Sequence, residues 1–275
     1  MAFRRSDPVC AGLAKRRGAK TWPALLLLPV LCAQAPVPDW AQPGSATHKQ
    51  VAPPSAYHRA TRTEMQPIGR FQGQSDVGGA ALAGSSRFDA KTGQYRISSA
   101  GYNIWYTRDE FRYLWTRRSG DVSLAADVSF PDPNGYEDRK AVLVIRQSLD
   151  DDAPEAIAAL HGGGMIHLAE RATAGARVTD TEYRIGARGR PEGESPDSLV
   201  TLHAKRIGIE KHGDQFTLFV SVAGEPMHAF GPPITLHLRA PFYVGIGFCS
   251  HVPGTVDTAI LSNVLLEDKA GRLGR

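Results

Sequence analysis

The most restrictive feature of the chain is a series of short stretches in which every second residue is apolar. In Asp121–Phe130, one face carries Val122, Leu124, Ala126, Val128 and Phe130, and the other Ser123, Ala125, Asp127 and Ser129. In Pro241–His251, Phe242, Val244, Ile246 and Phe248 oppose Tyr243, Gly245, Gly247, Cys249 and His251. Gln215–Val222 sets Phe216, Leu218, Val220 and Val222 against Thr217, Phe219 and Ser221. Side chains alternate across an extended strand, so a period of two marks strands with one buried face, whereas a helix needs a period of 3.6. From Ile68 onward Gly, Pro, Asp and Asn break these runs roughly every 8 to 15 residues, the punctuation of an all-β domain.

The turn His212-Gly213-Asp214 joins Arg206–Lys211 to Gln215–Val222 as an expected hairpin. Further strands are predicted at Tyr95–Ser98, Phe111–Arg117, Ala141–Gln147, Ile157–His161, Met165–Arg171, Leu199–Ala204 and Thr258–Leu266. Ala153–Leu160 leans helical by propensity, but its place between Asp150-Asp151-Asp152 and Gly162-Gly163-Gly164 suits a strand equally. No repeat at propeller spacing is present. The pattern predicts an all-β fold, a two-sheet antiparallel β-sandwich, over residues 68–268.

The first third has a different texture. Arg4, Arg5, Lys15, Arg16, Arg17 and Lys20 stand against the single acid Asp7, followed by an apolar run from Trp22 to Cys32 and then Ala33-Gln34-Ala35. A basic region, a short apolar core and small residues form the pattern of a secretory signal, so residues 1–35 are expected to direct export to the periplasm or the outside. The apolar run, interrupted by Pro23 and Pro29, falls short of the about 20 residues that cross a bilayer. Pro36 would disfavour cutting directly after Ala35, and an uncleaved, membrane-tethered N-terminus is the alternative. Residues 36–67, rich in Pro, Ala, Ser and Gln, read as an extended spacer, and residues 269–275 as a tail.

This division changes the meaning of the charge. The chain carries a formal +4; six basic residues less one acid put +5 in the leader, leaving the rest at −1. No basic stripe remains for nucleic acid, so none is expected as a partner, and no membrane span is expected in the sandwich. Of three cysteines, Cys10 and Cys32 belong to the leader and Cys249 stands alone, so the domain must be held by its core. A domain of this length buries about 70% of its unfolded surface, which is enough.

Four segments carry a resemblance. They are Ser119-Gly120-Asp121-Val122, the run Arg139–Asp150, the His161-Gly162-Gly163-Gly164 turn leading to Arg171, and Tyr243–His251 followed by Leu261-Ser262-Asn263-Val264. Together they resemble the concanavalin A-like, LamG-like β-sandwich domains of bacterial exported proteins, often found ahead of TolB-like propellers, over about residues 70–267. The resemblance implies a sandwich of the jelly-roll kind; the group spans lectin-like, hydrolase-like and uncharacterised members, and no propeller is present here.

Catalytic motifs are missing. Sandwich glucanases place Glu-x-Asp-x-Glu or Glu-x-Asp-x-x-Glu on one strand, because glycoside hydrolysis needs carboxyl groups about 5 to 9 Å apart. Neither pattern occurs; Glu192-Gly193-Glu194 alternates, but Pro191 and Pro196 flank it and mark a solvated loop. There is no Gly-x-Ser-x-Gly and no His-Glu-x-x-His, the nine histidines lack metal-ligand spacing, and neither metal nor other cofactor is expected. Asp150-Asp151-Asp152 offers clustered oxygens for calcium, but adjacent acids point in different directions, as in a solvated turn. Gly245-x-Gly247 lies inside a strand and so is sheet glycine, not a phosphate loop. Cys249, an inert small hydrophobe by type, shares a strand face with His251, which can activate a thiol if close.

One topographic feature stands out. If the small-residue faces Ser123/Ala125/Asp127/Ser129 and Gly245/Gly247/Cys249 lie on one side of a curved sheet, the missing side chains leave a shallow groove. Around it Arg146, His161, Arg171 and His251 would supply hydrogen bonds, and Trp105, Tyr106, Tyr113 and Trp115 flat apolar surface. Apolar platforms beside polar donors suit sugars. The same residues also allow another reading, in which the aromatics are core and the arginines form internal ion pairs. Three functions remain open. The first is a non-catalytic module for carbohydrate or envelope glycan, the second a hydrolase similar to the 3-keto-glycoside hydrolases of this scaffold, and the third a protein-interaction domain. The first needs exposed aromatics at the groove, the second a buried carboxylate or histidine beside an arginine, and the third a broad apolar patch.

Overall fold

The computed structural model describes residues 59–185, 191–192 and 203–274. In chain order the first strands are β1 (Arg62–Glu64), β2 (Gly73–Val77), β3 (Ser85–Asp89), β4 (Gln94–Ser99), β5 (Ile104–Trp105) and β6 (Arg108–Asp109). The middle of the chain supplies β7 (Phe111–Arg118), β8 (Val122–Ser129), β9 (Lys140–Arg146), β10 (Glu155–His161), β11 (Ile166–Arg171), β12 (Thr179–Ile185) and β13 (Pro191–Glu192). The last are β14 (Arg206–His212), β15 (Gln215–Ser221), β16 (His228–Ala229), β17 (Ile234–Thr235), β18 (Phe242–Cys249) and β19 (Asp257–Glu267). No helix occurs among the described residues, and so none long and apolar enough to cross a membrane.

Two large antiparallel sheets result. One has the order β1-β2-β7-β18-β9-β10-β11-β12-β13; the other runs β16-β15-β14-β8-β19-β4-β3, with β17 also pairing β15. Between them lies the main core, into which the alternation directs Phe242, Val244, Ile246 and Phe248 of β18 and Val122, Leu124 and Ala126 of β8. The fold is the expected all-β sandwich. The expected hairpin is β14–β15, turning at Gly213, whose φ of +57° suits a residue without a Cβ.

Ala153–Leu160 becomes β10, a strand held between β9 and β11. Ala156, Ala158 and Leu160 enter the main core, and Ile157 and Ala159 a second cluster on the opposite face. Burial on both faces overrides the helical propensity, which amounts to only tenths of a kcal/mol per residue.

That second cluster covers the outer face of the nine-stranded sheet. Val77, Phe111, Tyr113, Trp115, Val142, Val144 and Cys249 join Ile104, which arrives with the small β5–β6 hairpin laid across the sheet. The middle of this sheet is therefore buried from both sides.

Several boundaries differ from the sequence reading. Arg62–Glu64, in the stretch read as spacer, pairs with β2, and Leu273, in the stretch read as tail, is buried against Ala125 and Met227. Pro191–Glu192, read as loop, pairs with the end of β12, while Gly193 and Glu194 lie outside the described residues. So do most of the strand expected at Leu199–Ala204, the leader, and the spacer up to residue 58. β2 is polar yet buried, because Arg112 donates to Gln74 (2.6 Å) and Asp76 (3.3 Å), and Trp115 Nε1 to Ser75 (2.9 Å).

Candidate functional site

The two small-residue faces do not meet. β8 lies in the eight-stranded sheet and β18 in the nine-stranded one, so Ser123, Ala125, Asp127 and Ser129 border no groove with Gly245, Gly247 and Cys249. Nor do the glycines leave a recess of their own. Gly247 lies opposite Tyr113, and Gly245 opposite Trp115, in the pairing of β18 with β7. The Tyr113 ring spans β18 and donates its hydroxyl to the Val144 carbonyl on β9, 3.0 Å away. A Cβ at Gly247 would stand 2.8 Å from the Phe111 ring, and one at Gly245 would run into the Leu114 carbonyl. Glycine here admits the neighbouring β7 backbone and, at Gly247, the Phe111 ring, and leaves no room for a ligand.

Arg146 and Arg171 do converge, but on acids. Arg171 donates to both oxygens of Asp109 (2.9 and 2.6 Å) and to Glu155 (2.9 Å), and Arg146 donates to Asp109 (3.0 Å). The register Arg146↔Glu155↔Arg171 puts three of the four in one row, and the β5–β6 hairpin brings Asp109 down on them. All four side chains are fully buried. Burial alone would raise the Asp109 carboxyl, but the charges of Arg171 and Arg146 outweigh it and hold Asp109 low. Glu155 goes the other way: burial, then the Asp109 charge, push it up to about 8 against both arginines. Paired and sealed charges of this kind fix a structure; they do not face a substrate.

The remaining expected site residues gather at the other end of the outer face. Lys140 Nζ donates to Asn103 (2.8 Å) and lies 5.2 Å from the half-buried Trp105 ring. His161 and His167 approach to 3.3 Å through Nε2 and Nδ1, with Asp138 3.6 Å from His161. Burial lowers the Lys140 pKa and, with His161 and Lys140 nearby, takes His167 well below 6.5, so His167 is neutral. His251 is layered between Tyr136 and Tyr102, at centroid distances of 5.4 and 5.6 Å. Its φ of +64° places it past the end of β18, which breaks the face-sharing expected with Cys249. Burial pushes the Cys249 thiol up to about 11, far from a reactive thiolate. Among the described residues no group of three or more His, Cys, Asp or Glu is arranged to hold a metal ion.

An accessible cavity lies at the opposite end of β7 and β18. Gln72, Arg117, Arg118, Ser119, Pro241 and Asp268 line a cleft of about 640 Å³. Arg118 Nε is 2.6 Å from Asp268, and its Nη1 donates to Thr116 and the Arg117 carbonyl. The Gln72 carbonyl oxygen accepts from the Arg117 backbone N–H (3.0 Å), leaving its amide nitrogen as a donor. Arg117 is exposed, its guanidinium 5.9 Å from the Tyr243 ring, and among the described residues it makes no ion pair. Tyr243 stands edge-on to Trp115 at 5.1 Å.

No protein-family model and no curated protein matches the chain. Among solved structures it is similar to a functionally unknown protein from Saccharomyces cerevisiae, at 12% identity over 68% of this chain and 93% of that one, with a TM-score of 0.47. It is also similar to the carbohydrate binding module CBM66 from Bacillus subtilis, at 16% identity over 73% and 99%, TM-score 0.41. A third is the metal-free lectin I-B4 from Griffonia simplicifolia, at 11% identity over 67% and 90%, TM-score 0.37. Likenesses this distant bear on neither ligand nor chemistry. The fold class rests on the two sheets themselves.

The eight residues expected at one groove are thus split. Trp115, Tyr113, Arg146 and Arg171 are core or internal ion pairs, Tyr106 is buried with Arg177 5.0 Å from its ring, and Trp105, His161 and His251 sit at the far end. The cleft residues were missed, though period two reached them: Tyr113, Trp115 and Arg117 share a face of β7, and Tyr243 shares that of Gly245 and Gly247. β7 ends at the cleft and β18 begins there.

Proposed function

We propose that the domain is a non-catalytic glycan-binding module that engages its ligand at the Gln72–Arg117–Pro241 cleft. The observation that carries this reading is the cleft itself: an open volume of about 640 Å³, lined mainly by hydrogen-bonding side chains, with the half-buried Tyr243 ring 5.9 Å from the Arg117 guanidinium. Sugars present hydroxyl rims and apolar ring faces, and this combination meets both. Asp109 and Glu155, hydrogen-bonded to each other, are sealed beneath the hairpin, and Asp268 in the cleft is engaged by Arg118. The test is a glycan-array screen of the full chain against Ser119→Trp, which fills the cleft from an exposed turn. Loss of every hit is expected; unchanged binding would contradict the assignment.

A hydrolase reading has one observation in its favour. Glu110, buried near Tyr102, is pushed up to about 7 by burial, against the Arg59 charge, which is the range of a general acid. Reducing-sugar release that disappears in Glu110→Gln would favour it. Residues 1–35 are proposed to deliver the domain outside the cytoplasm, which N-terminal sequencing of the protein from cell fractions tests.

A further inference from the structure

Within the glycan-binding reading, on which it rests, the cleft makes a narrower commitment. Three charged side chains line it, and two of them answer each other: Arg118 and Asp268 meet at 2.6 Å. Arg117 therefore sets the sign of what the cleft offers. The adjoining Glu267 does not reverse it, being bonded to Arg272 at 2.7 Å with Arg70 and Lys269 close enough to act on it. The Arg117 guanidinium is also partly ordered before any ligand arrives. Its backbone N–H is bonded to Gln72, its Cα faces Tyr243 across the ladder, and its guanidinium lies over that tyrosine at 5.9 Å. A guanidinium is a planar fork of donors that matches a carboxylate in two parallel bonds, and an ordered one loses less entropy on binding.

We infer that the cleft selects anionic saccharides, with the carboxylate of a uronic acid pairing with Arg117 while Gln72 and Ser119 bond the sugar hydroxyls. Neutral saccharides would make the same hydroxyl contacts without the charged pair. Selectivity for the acid then resides in one exposed side chain whose removal leaves the fold intact.

The test is calorimetric titration of the full chain with a galacturonic acid hexamer and with the same hexamer methyl-esterified at its carboxyls. The acid is expected to bind at least tenfold more tightly than the ester. Arg117→Gln should erase that difference by weakening acid binding alone, Arg117→Lys should lose part of it by replacing the fork with a point charge, and Arg87→Gln should change nothing. Arg87 is an exposed arginine on β3 in the other sheet, so its variant matches the change in net charge. Equal loss in the Arg87 and Arg117 variants would overturn the inference in favour of bulk charge. Equal affinity for acid and ester, abolished by Ser119→Trp, would overturn it and leave the glycan-binding reading standing. Binding to neither hexamer also overturns it, and a blank array beside that result removes the broader reading too.

Discussion

Arg117 and Arg146 are both register partners of Tyr243, one on either side, and they end in opposite environments. Arg146 is wholly buried, bonded to Asp109 at 3.0 Å and to the Asp150 carbonyl at 2.7 Å. Arg117 is exposed at the rim of the cleft. They stand in one row of one sheet, on the strands that flank β18. The difference is the cover: the β5–β6 hairpin reaches Arg146 with a carboxylate and stops short of Arg117. A charged side chain on this sheet serves the fold where the hairpin lies over it, and is available to a ligand where the sheet runs out from under it.

The largest effect should separate the two arginines by stability. Arg146→Ala leaves buried acids short of a cation and is expected to cost about 3–5 kcal/mol in denaturant unfolding, against under about 0.5 for Arg117→Ala. Similar costs for both would break the comparison. Next comes Glu110, neighbour of Asp109 but without its two arginines. Its folded pKa of about 7 lies above the ordinary 4.5, so the fold prefers the protonated form. The associated stability is fully present below pH 4.5 and is lost as pH rises through 7, roughly 3 kcal/mol in all. Unfolding measured at pH 4.5 and pH 8 should show this loss in the parent and not in Glu110→Gln. Gly247→Ala, forced against Phe111, should cost about 1–3 kcal/mol, which would confirm that the space above the glycine is taken. Tyr113→Phe removes the bond to Val144 and should cost about 1 kcal/mol by the same measurement.

The architecture was legible because a strand writes its core-facing side as period two, which β8, β15 and β18 carry, whereas β9 is a continuous apolar run buried on both faces. β2 was not legible: Gln74, Ser75 and Asp76 are buried by virtue of Arg112 and Trp115, which come from a strand far along the chain. The site was misplaced for a related reason. Small residues at Gly245 and Gly247 signal close approach, but the sequence does not say what approaches: it is the Leu114 carbonyl at Gly245, and the Arg112 carbonyl with the Phe111 ring at Gly247. The convergence of Arg146 and Arg171 was readable as internal pairing; its acid partner Asp109 was not, because it arrives on a two-residue strand with no periodicity.

We propose recognition at the open end of the β7–β18 row and not above its glycines. Hydrogen exchange of the full chain, with and without a saturating glycan hit from the array, tests it directly. Slower exchange at Arg117, Arg118 and Ser119 and around Tyr243, with the β5–β6 hairpin unchanged, is the expected result. Protection concentrated at Asn103–Glu110 instead, with the cleft unaffected, would contradict it.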